Sequence, residues 1–548
     1  MSNMSLKTPL EMLYKWEQNH PEAIYLKQPI NGVIKDFTWR ETGQQARKVA
    51  ACLVAMELPA GSHIAILSKN CAEWFITDLA IMLAGHVSVP IYSTAGEETI
   101  QYVLNHAQCS VIFVGKLDNT DKQVAAIGDD VIKLAFPYPD IPADKQWDEL
   151  LRTPAFIEKP IPALDSVMTI VYTSGSTGNP KGVVHNYESI CWAASNSINE
   201  LQVGQDDRVL SYLPLAHITE RVLVEIASFY AGGRIDFIES LETFARDVRE
   251  TQPTLFLSVP RLWTRFQMGV LANMPQKKLD ILLRIPIVGG IVSKKIRTKL
   301  GLGKARLCAS GSAPIPASTL EWFRKIGINI SEGWGMTENC AYGTCCMPFR
   351  ADKIGSIGRA YVGVDIRIAE KGEIQVKGPC NMKEYYLEPE KTAEVMTEDG
   401  YLKTGDKGSI DSDGYIIITG RLKEIFKTSK GKYIAPVPIE SKLMANSSIE
   451  QVCVTGPQLK QPIALVVLSP EAIKLPAEEI KQSLLDTLND VNATLESHAV
   501  LDGLIVMKDE WTVDNGLLTP TLKVKRHNLE KHYDSLINGQ LSGKIVRQ

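Results

Sequence analysis

Short β-branched runs separated by amphipathic helical stretches recur through most of this chain, and that alternation limits the fold more than any other feature. HIAILS (63–68), SVPIY (88–92), SVIFVG (110–115), MTIVYTS (168–174), TLFLSVP (254–260) and ARLCASGSA (305–313) read as strands, while residues 39–56 and 72–84 carry helical periodicity. Strands alternating with helices of this length stack into α/β layers around mostly parallel sheets. The texture changes after about Gly355: residues 357–379 read as short strands broken by Gly and Pro, a β-barrel or meander, and Asp413-Gly414 marks a hairpin turn. From Arg421 a smaller α+β unit follows, with strands at 451–456 and 463–468 and a helix over 477–488. The predicted fold is therefore α/β. A large N-terminal domain (1–420) combines layered α/β subdomains with a β-barrel-like subdomain, and a small α+β domain (421–548) closes the chain. With 548 residues and about 150 per domain, three or four domains or subdomains are expected.

Charge names no partner. The formal net charge is −4, and the part from Arg421 onward is as balanced as the part before it, so neither shows the basic stripe of a nucleic-acid binder. The ten cysteines are scattered without a C-x-x-C pair; only Cys340, Cys345 and Cys346 cluster, with no histidine near enough in sequence to complete a zinc site. They read as buried free thiols in a reducing, cytoplasmic setting. The first twenty residues lack the apolar stretch of a signal peptide. The most apolar run, Leu79 to Tyr92, is too short to span a bilayer and is interrupted by His86. The chain reads as soluble, which leaves contact with a membrane surface open.

The strongest local signal is Tyr172-Thr-Ser-Gly-Ser-Thr-Gly-Asn-Pro-Lys-Gly182, directly after an apolar strand. Glycines let backbone N–H groups converge on an anion. Ser174, Ser176 and Thr177 add hydroxyl donors, Gly175 and Gly178 the freedom to turn, and Lys181 a mobile positive charge. Phosphate is the natural guest. Walker A, G-x-G-x-x-G and G-x-S-x-G patterns do not occur, which disfavours a P-loop NTPase, a Rossmann dinucleotide site and a serine hydrolase.

This loop resembles the phosphate-binding signature of the adenylate-forming superfamily, which joins acyl-CoA synthetases, luciferases and peptide-synthetase adenylation domains. Further segments match in order. Ser331-Glu-Gly-Trp-Gly-Met-Thr-Glu338 is similar to the adenine and magnesium motif, Tyr401-Leu-Lys-Thr-Gly-Asp406 to the ribose motif, and Gly420-Arg-Leu-Lys-Glu-Ile-Phe-Lys427 to the hinge motif. The resemblance implies ATP, Mg²⁺ and coenzyme A as the small-molecule set. Glu338 and Thr173 are the expected metal ligands, hard oxygens of the kind Mg²⁺ takes, and Thr337 is expected on the α-phosphate. Glu332, Gly333, Trp334 and Gly335 form one adenine wall, with Trp where many relatives have Tyr, and Gly311, Ser312 and Ala313 form the other. Asp406 and Arg421 hold the ribose, with Lys423 at the pivot of a mobile C-terminal domain. Lys523 is expected to bridge carboxylate and phosphate as the adenylate forms, although Leu522 precedes it where most members have Gly; Lys525 is its fallback.

Ser211 to Arg221, Ser258 to Phe266 and Lys427 to Pro436 resemble the long-chain fatty-acid–CoA ligase branch. That branch implies a two-step reaction, through acyl-AMP and pyrophosphate to acyl-CoA and AMP. It places His217 beside the acyl site as a gate for the thiol, and the segment from Lys427 to Lys432 at the site in the second step. Two alternatives remain at this point: an acyl-AMP ligase loading a carrier protein, and a noncatalytic nucleotide- or lipid-binding homologue. Trp192, Val224, Phe229 and Trp263 are candidates for the acyl pocket, for which core packing is an equal explanation. A greasy substrate is compatible with peripheral membrane contact.

Overall fold

The computed structural model describes residues 6–173, 179–519, 522–539 and 541–548. Two large sheets dominate its N-terminal part. In one, strands His63–Leu67, Val87–Ile91, Val111–Val114 and Ile132–Ala135 run parallel, and Val167–Thr173 extends the sheet toward the antiparallel Lys181–Asn186. The other has Arg208–Ser211, Arg234–Phe237, Leu255–Ser258, Leu307–Ser310 and Ile330–Trp334 as parallel neighbours. The predicted strands are all present, with ends shifted by up to three residues.

The helix Ala72–Leu83 explains how the layers hold together. Every one of its residues is buried, and it touches strands Ile24–Ile30 and Val87–Ile91, one from each sheet. A helix buried on all sides belongs between two layers rather than on a surface. Trp39–Val54 packs beside it, started by a Thr38/Glu41 capping box, and Trp39, Trp74, Phe75 and Phe229 fill the shared core.

The Gly- and Pro-punctuated segment forms a four-stranded antiparallel sheet, Asp365–Ile368, Glu373–Lys377, Leu402–Ile410 and Ile416–Arg421, which is the meander of the two forms expected. The chain leaves this sheet at Arg421. The smaller C-terminal domain sets strands Ile449–Thr455, Ile463–Leu468, Leu504–Val506 and Ile545–Arg547 against the helix Ala477–Asn492. All ten cysteines are buried and unbridged. Among the described residues no helix is long and apolar enough to cross a membrane.

Candidate active site

The hairpin of Val167–Thr173 and Lys181–Asn186 sets Thr173 opposite Lys181, closing the base of the glycine-hydroxyl loop. Ser174, Gly175, Ser176, Thr177 and Gly178 themselves lie outside the described residues. Lys181 Nζ stands 4.4 Å from the centre of the Tyr385 ring, and the Tyr385 hydroxyl donates to Glu338 Oε1 at 2.7 Å. Tyr385 arrives there because Glu384–Tyr385 pairs with Lys181–Asn186. Glu338 sits in the tight turn Thr337–Asn339. One side of that turn is fastened by His185 Nε2, 2.8 Å from the Thr337 carbonyl, and another by the Met382 N–H, which donates to the Glu338 carbonyl at 2.7 Å. A carbonyl can only accept, so Nε2 carries the hydrogen. Burial holds the His185 pKa near 4, so the ring is neutral.

Strand register places Asp406 opposite Arg421, and Arg421 Nε donates to Asp406 Oδ1 at 2.9 Å. The other oxygen, Oδ2, accepts from the Trp334 indole Nε1 at 2.9 Å. The Asp406 side chain is only 10% exposed. Burial works to lower the Arg421 pKa, but Asp406, then Glu424 and Glu338, hold it above the ordinary value. The Trp334 ring lies against Gly343, where an added Cβ would fall 2.6 Å from the ring; only glycine lets the indole lie flat there.

A turn of the C-terminal domain carries Lys523 into the same cleft. The Thr519 N–H donates to the Lys523 carbonyl at 2.8 Å and the Lys523 N–H to Thr519 Oγ1 at 3.1 Å. Leu522 takes φ +60°, so the backbone keeps the shape a glycine would give it, at a cost of about 1–2 kcal/mol. Lys523 is exposed to solvent, although the surrounding protein is dense. Desolvation by that protein, then Arg421, lowers its pKa, while Asp406, Glu424 and Glu338 pull it back. Lys181 is lowered in the same way, by burial and then by Lys423 and Lys391. Burial, with Lys523 next, brings His217 to about 4. His217 Nδ1 accepts from the Thr219 N–H at 3.2 Å, which leaves its proton on Nε2. Two lysines lowered chiefly by burial, each with further cations nearby, suit a polyanionic ligand. Lys427 is not part of this convergence: it lies on an exposed hairpin, 5.7 Å from the Tyr433 ring.

Beside Trp334 a cavity of about 120 Å³ opens, walled at its mouth by Gly311, Ser312, Gly333, Trp334 and Gly335, while Ala313 is exposed just beyond. It follows the second sheet inward past Ala309 and Leu257 to Leu255 and Leu307, which are register partners, and to Leu201, Val203 and Asp207. From Gly311 back to Leu307 is four residues of strand, roughly 13 Å. Its far end is tied by Arg306, which donates to both Asp207 oxygens and to the Leu201 and Gln202 carbonyls. Burial raises the Glu332 pKa to about 7 against N–H donors from Gly355 and Ile315.

Of the four proposed pocket residues, only Val224 lines this cavity. Phe229 and Trp263 are fully buried in separate cores, and Trp192 packs against the first of these. Periodicity could not separate a cavity wall from a core. Other residues matter that spacing did not mark. Tyr385 and His185 are brought in by sheet pairing. Arg221, fully buried, bonds Asp78 and Ser88 at 2.7 Å and starts the wide-turned helix Arg221–Ile226 that turns Leu223 and Val224 to the cavity. The signal for Arg221 was its place four residues after His217, inside the segment already singled out.

A family model described as "AMP-binding enzyme" matches residues 13–386, and one described as "AMP-binding enzyme C-terminal domain" matches residues 423–542. A long-chain-fatty-acid–CoA ligase of Mycobacterium bovis, FadD15, is 29% identical, covering 96% of this chain and 95% of that protein. Long-chain-fatty-acid–CoA ligase 5 of Rattus norvegicus is 30% identical over 92% of this chain and 84% of its own. Among solved structures, an anthranilate CoA ligase complexed with anthranoyl-AMP superposes with TM-score 0.81 at 20% identity, covering 98% of this chain and 99% of that one. The adenylation domain of a carboxylic acid reductase from Segniliparus rugosus, complexed with AMP, also gives 0.81, at 21% identity over 98% and 94%. These last two share the fold. With both family models covering most of its length, the chain belongs to the AMP-binding enzyme family and has the adenylate-forming architecture.

Proposed function

We propose that this protein is a long-chain fatty-acid–CoA ligase working through an acyl-adenylate. One observation carries the reading: Arg421 and Trp334 both bond Asp406, Lys523 stands close enough to feel Arg421, Asp406 and Glu338, and Trp334 itself lines an apolar cavity. A carboxylate emerging from the cavity would meet a nucleotide's phosphates there, beside the cations that offset the charge of the attack. The carboxylate oxygen bonds to the α-phosphorus as the bridge to pyrophosphate breaks. The thiol sulfur of coenzyme A then bonds to the acyl carbon, the bond to AMP breaks, and the thiol proton is released.

The roles that the family resemblance implies fit this geometry. An ionised carboxylate has about four lone-pair sites. Trp334 and Arg421 occupy one on each Asp406 oxygen, which leaves one per oxygen for two ribose hydroxyls. The free face of Trp334 stacks adenine, with the Gly311–Ala313 backbone opposite. Thr337 faces the α-phosphate from a turn fixed by His185. Tyr385 fixes one oxygen of Glu338; the other accepts no bond among the described residues, and one hard carboxylate oxygen with phosphate oxygens suits Mg²⁺. Bound there with Thr173, the ion would neutralise phosphate charge. His217, neutral and beside Lys523, stands where the acyl group and the nucleotide meet, and gates the thiol.

The domain from Arg421 onward acts as a cap pivoting at Lys423. The orientation seen here presents Lys523, and rotation would present the hairpin that carries Lys427. Serving two large substrates in sequence is the use of such a motion. Pyrophosphate release measured across fatty acids of increasing length, with and without coenzyme A, tests the reading. Release that needs a long acid, with acyl-CoA as product, supports it. Acyl-AMP that accumulates and moves only to a carrier-protein phosphopantetheine would overturn the choice of acceptor.

A further inference from the structure

Balanced charge in each domain conceals one uneven stretch. Residues 276–304 hold eight lysines and arginines and a single acid, Asp280, a local charge of +7 in a chain of −4. They fold as two packed helices, Gln276–Arg284 and Val288–Lys299. The inward side is ordinary: Leu279 and Ile296 are buried with Trp322 and Phe323. The outward side is not, because Ile281, Ile285, Ile287, Val288 and Ile291 are all exposed, three of them by more than 60%. The other exposed aliphatic residues are spread singly or in pairs over the chain, as any surface allows; five within eleven residues at one hairpin tip call for a reason.

The backbone singles out the same tip. Ile287 has φ +69° and ψ −53°, and the Val288 N–H donates to the Pro286 carbonyl at 2.8 Å, a three-residue turn that a β-branched side chain takes only under strain. The strained residue is 82% exposed, so no internal packing compensates for it. Strain held without an internal gain marks a functional segment. The composition identifies the occupant. The cluster is purely aliphatic and lacks the Trp, Tyr and Met anchors that dominate protein interfaces, while Lys, which such interfaces avoid, surrounds it. Aliphatic side chains at a tip flanked by Lys277, Lys278, Arg284, Lys294 and Lys295 match an anionic lipid surface: hydrocarbon for the isoleucines, headgroup charge for the lysines.

We propose that the 276–304 hairpin is a membrane-docking element, its isoleucine tip entering the headgroup boundary of an anionic leaflet. This surface is separate from the catalytic cleft, and the proposal stands whichever acid the enzyme activates. The test is co-sedimentation of the full-length protein with phosphatidylcholine vesicles, with and without phosphatidylglycerol. Binding is expected only to the anionic vesicles and weakens as salt rises. Ile287→Asp with Ile291→Asp, and separately Lys294→Glu with Lys295→Glu, should each lower the partition coefficient at least about tenfold. Both variants should keep wild-type adenylate formation on acids presented in solution, which shows that they fold. Ile473→Asp, at an exposed site elsewhere, should bind as wild type. Absence of binding to anionic vesicles, or equal binding by the Ile287/Ile291 variant, would overturn the proposal. So would self-association that the same variant abolishes in a protein that does not bind vesicles.

Discussion

Replacing Trp334 by Phe separates two duties that one side chain performs. The indole packs on Gly343 and donates to Asp406 Oδ2 at 2.9 Å; phenylalanine keeps an aromatic face and loses the donor. A hydrogen bond to a charged acceptor contributes about 1.5–3 kcal/mol. Asp406 is nearly enclosed, so water replaces the lost donor poorly. At about 1.4 kcal/mol per decade, the dissociation constant of ATP should rise roughly 10- to 150-fold. Calorimetric titration of ATP into the free enzyme measures this, and single-turnover acyl-AMP formation at saturating ATP measures the chemistry. The second quantity should change little, because Lys181, Arg421 and Lys523 are untouched. The decisive control is Asp406→Asn, after which Trp334→Phe should weaken ATP binding only slightly further. Wild-type affinity in Trp334→Phe, or the same loss in the Asp406→Asn background, would refute the claim that the indole acts by holding the carboxylate.

Four further outcomes follow from the geometry. Lys523→Ala should slow acyl-AMP formation by about 10²–10³-fold, as removal of one preorganised charge donor does, while sparing transfer from supplied acyl-AMP to coenzyme A; equal loss in both half-reactions would contradict its place in the first. Glu332, raised from 4.5 to about 7, costs the folded state nothing below pH 4.5 and a penalty that grows to about 3 kcal/mol by pH 7 and above. Glu332→Gln should therefore match wild type in denaturant midpoint at acid pH and exceed it at pH 8. Glu450 accepts from Arg261 and Arg265 of the helix Pro260–Asn273, tying the C-terminal domain to the N-terminal one. These two ion pairs share one carboxylate, are partly exposed and together contribute about 1 kcal/mol, so Glu450→Ala should slow adenylation by no more than about fivefold and leave thioester formation unslowed, as paired half-reaction assays would show. Arg306→Ala should loosen the Asp207 closure at the cavity's inner end and move the preferred acid toward longer chains, read from the chain-length profile.

How much of this was legible beforehand depends on where each property resides. Strand and helix positions follow from local periodicity; strand ends appear within about three residues, and the helix expected over 477–488 runs on to Asn492. The pairing of Asp406 with Arg421 was also legible, since both fall in recognisable segments and sheet register brings them face to face. Tyr385 was not. Its hydroxyl matters only because the two-residue strand Glu384–Tyr385 lands beside Lys181–Asn186, an event spread over two hundred residues. For Trp263 and Phe229 the structure takes the core reading of the two left open: an apolar position on a helix reads identically whether it faces a cavity or a core.

The uneven charge of residues 276–304 shows a different kind of loss. Counting charge by domain averages away a hairpin of this size, although every lysine was visible in the sequence. The exposure of the isoleucines and the left-handed φ at Ile287 exist only in three dimensions. Leu522 makes the same point in reverse. The departure from glycine is plain in the sequence, yet only the backbone shows that the turn holds its shape with φ +60°. Departure from a motif therefore measures strain before it measures loss of function. If the turn needs the left-handed shape to aim Lys523, Leu522→Gly should preserve adenylation while relieving that strain, whereas a β-branched residue such as Val should misplace the lysine and slow the first half-reaction alone.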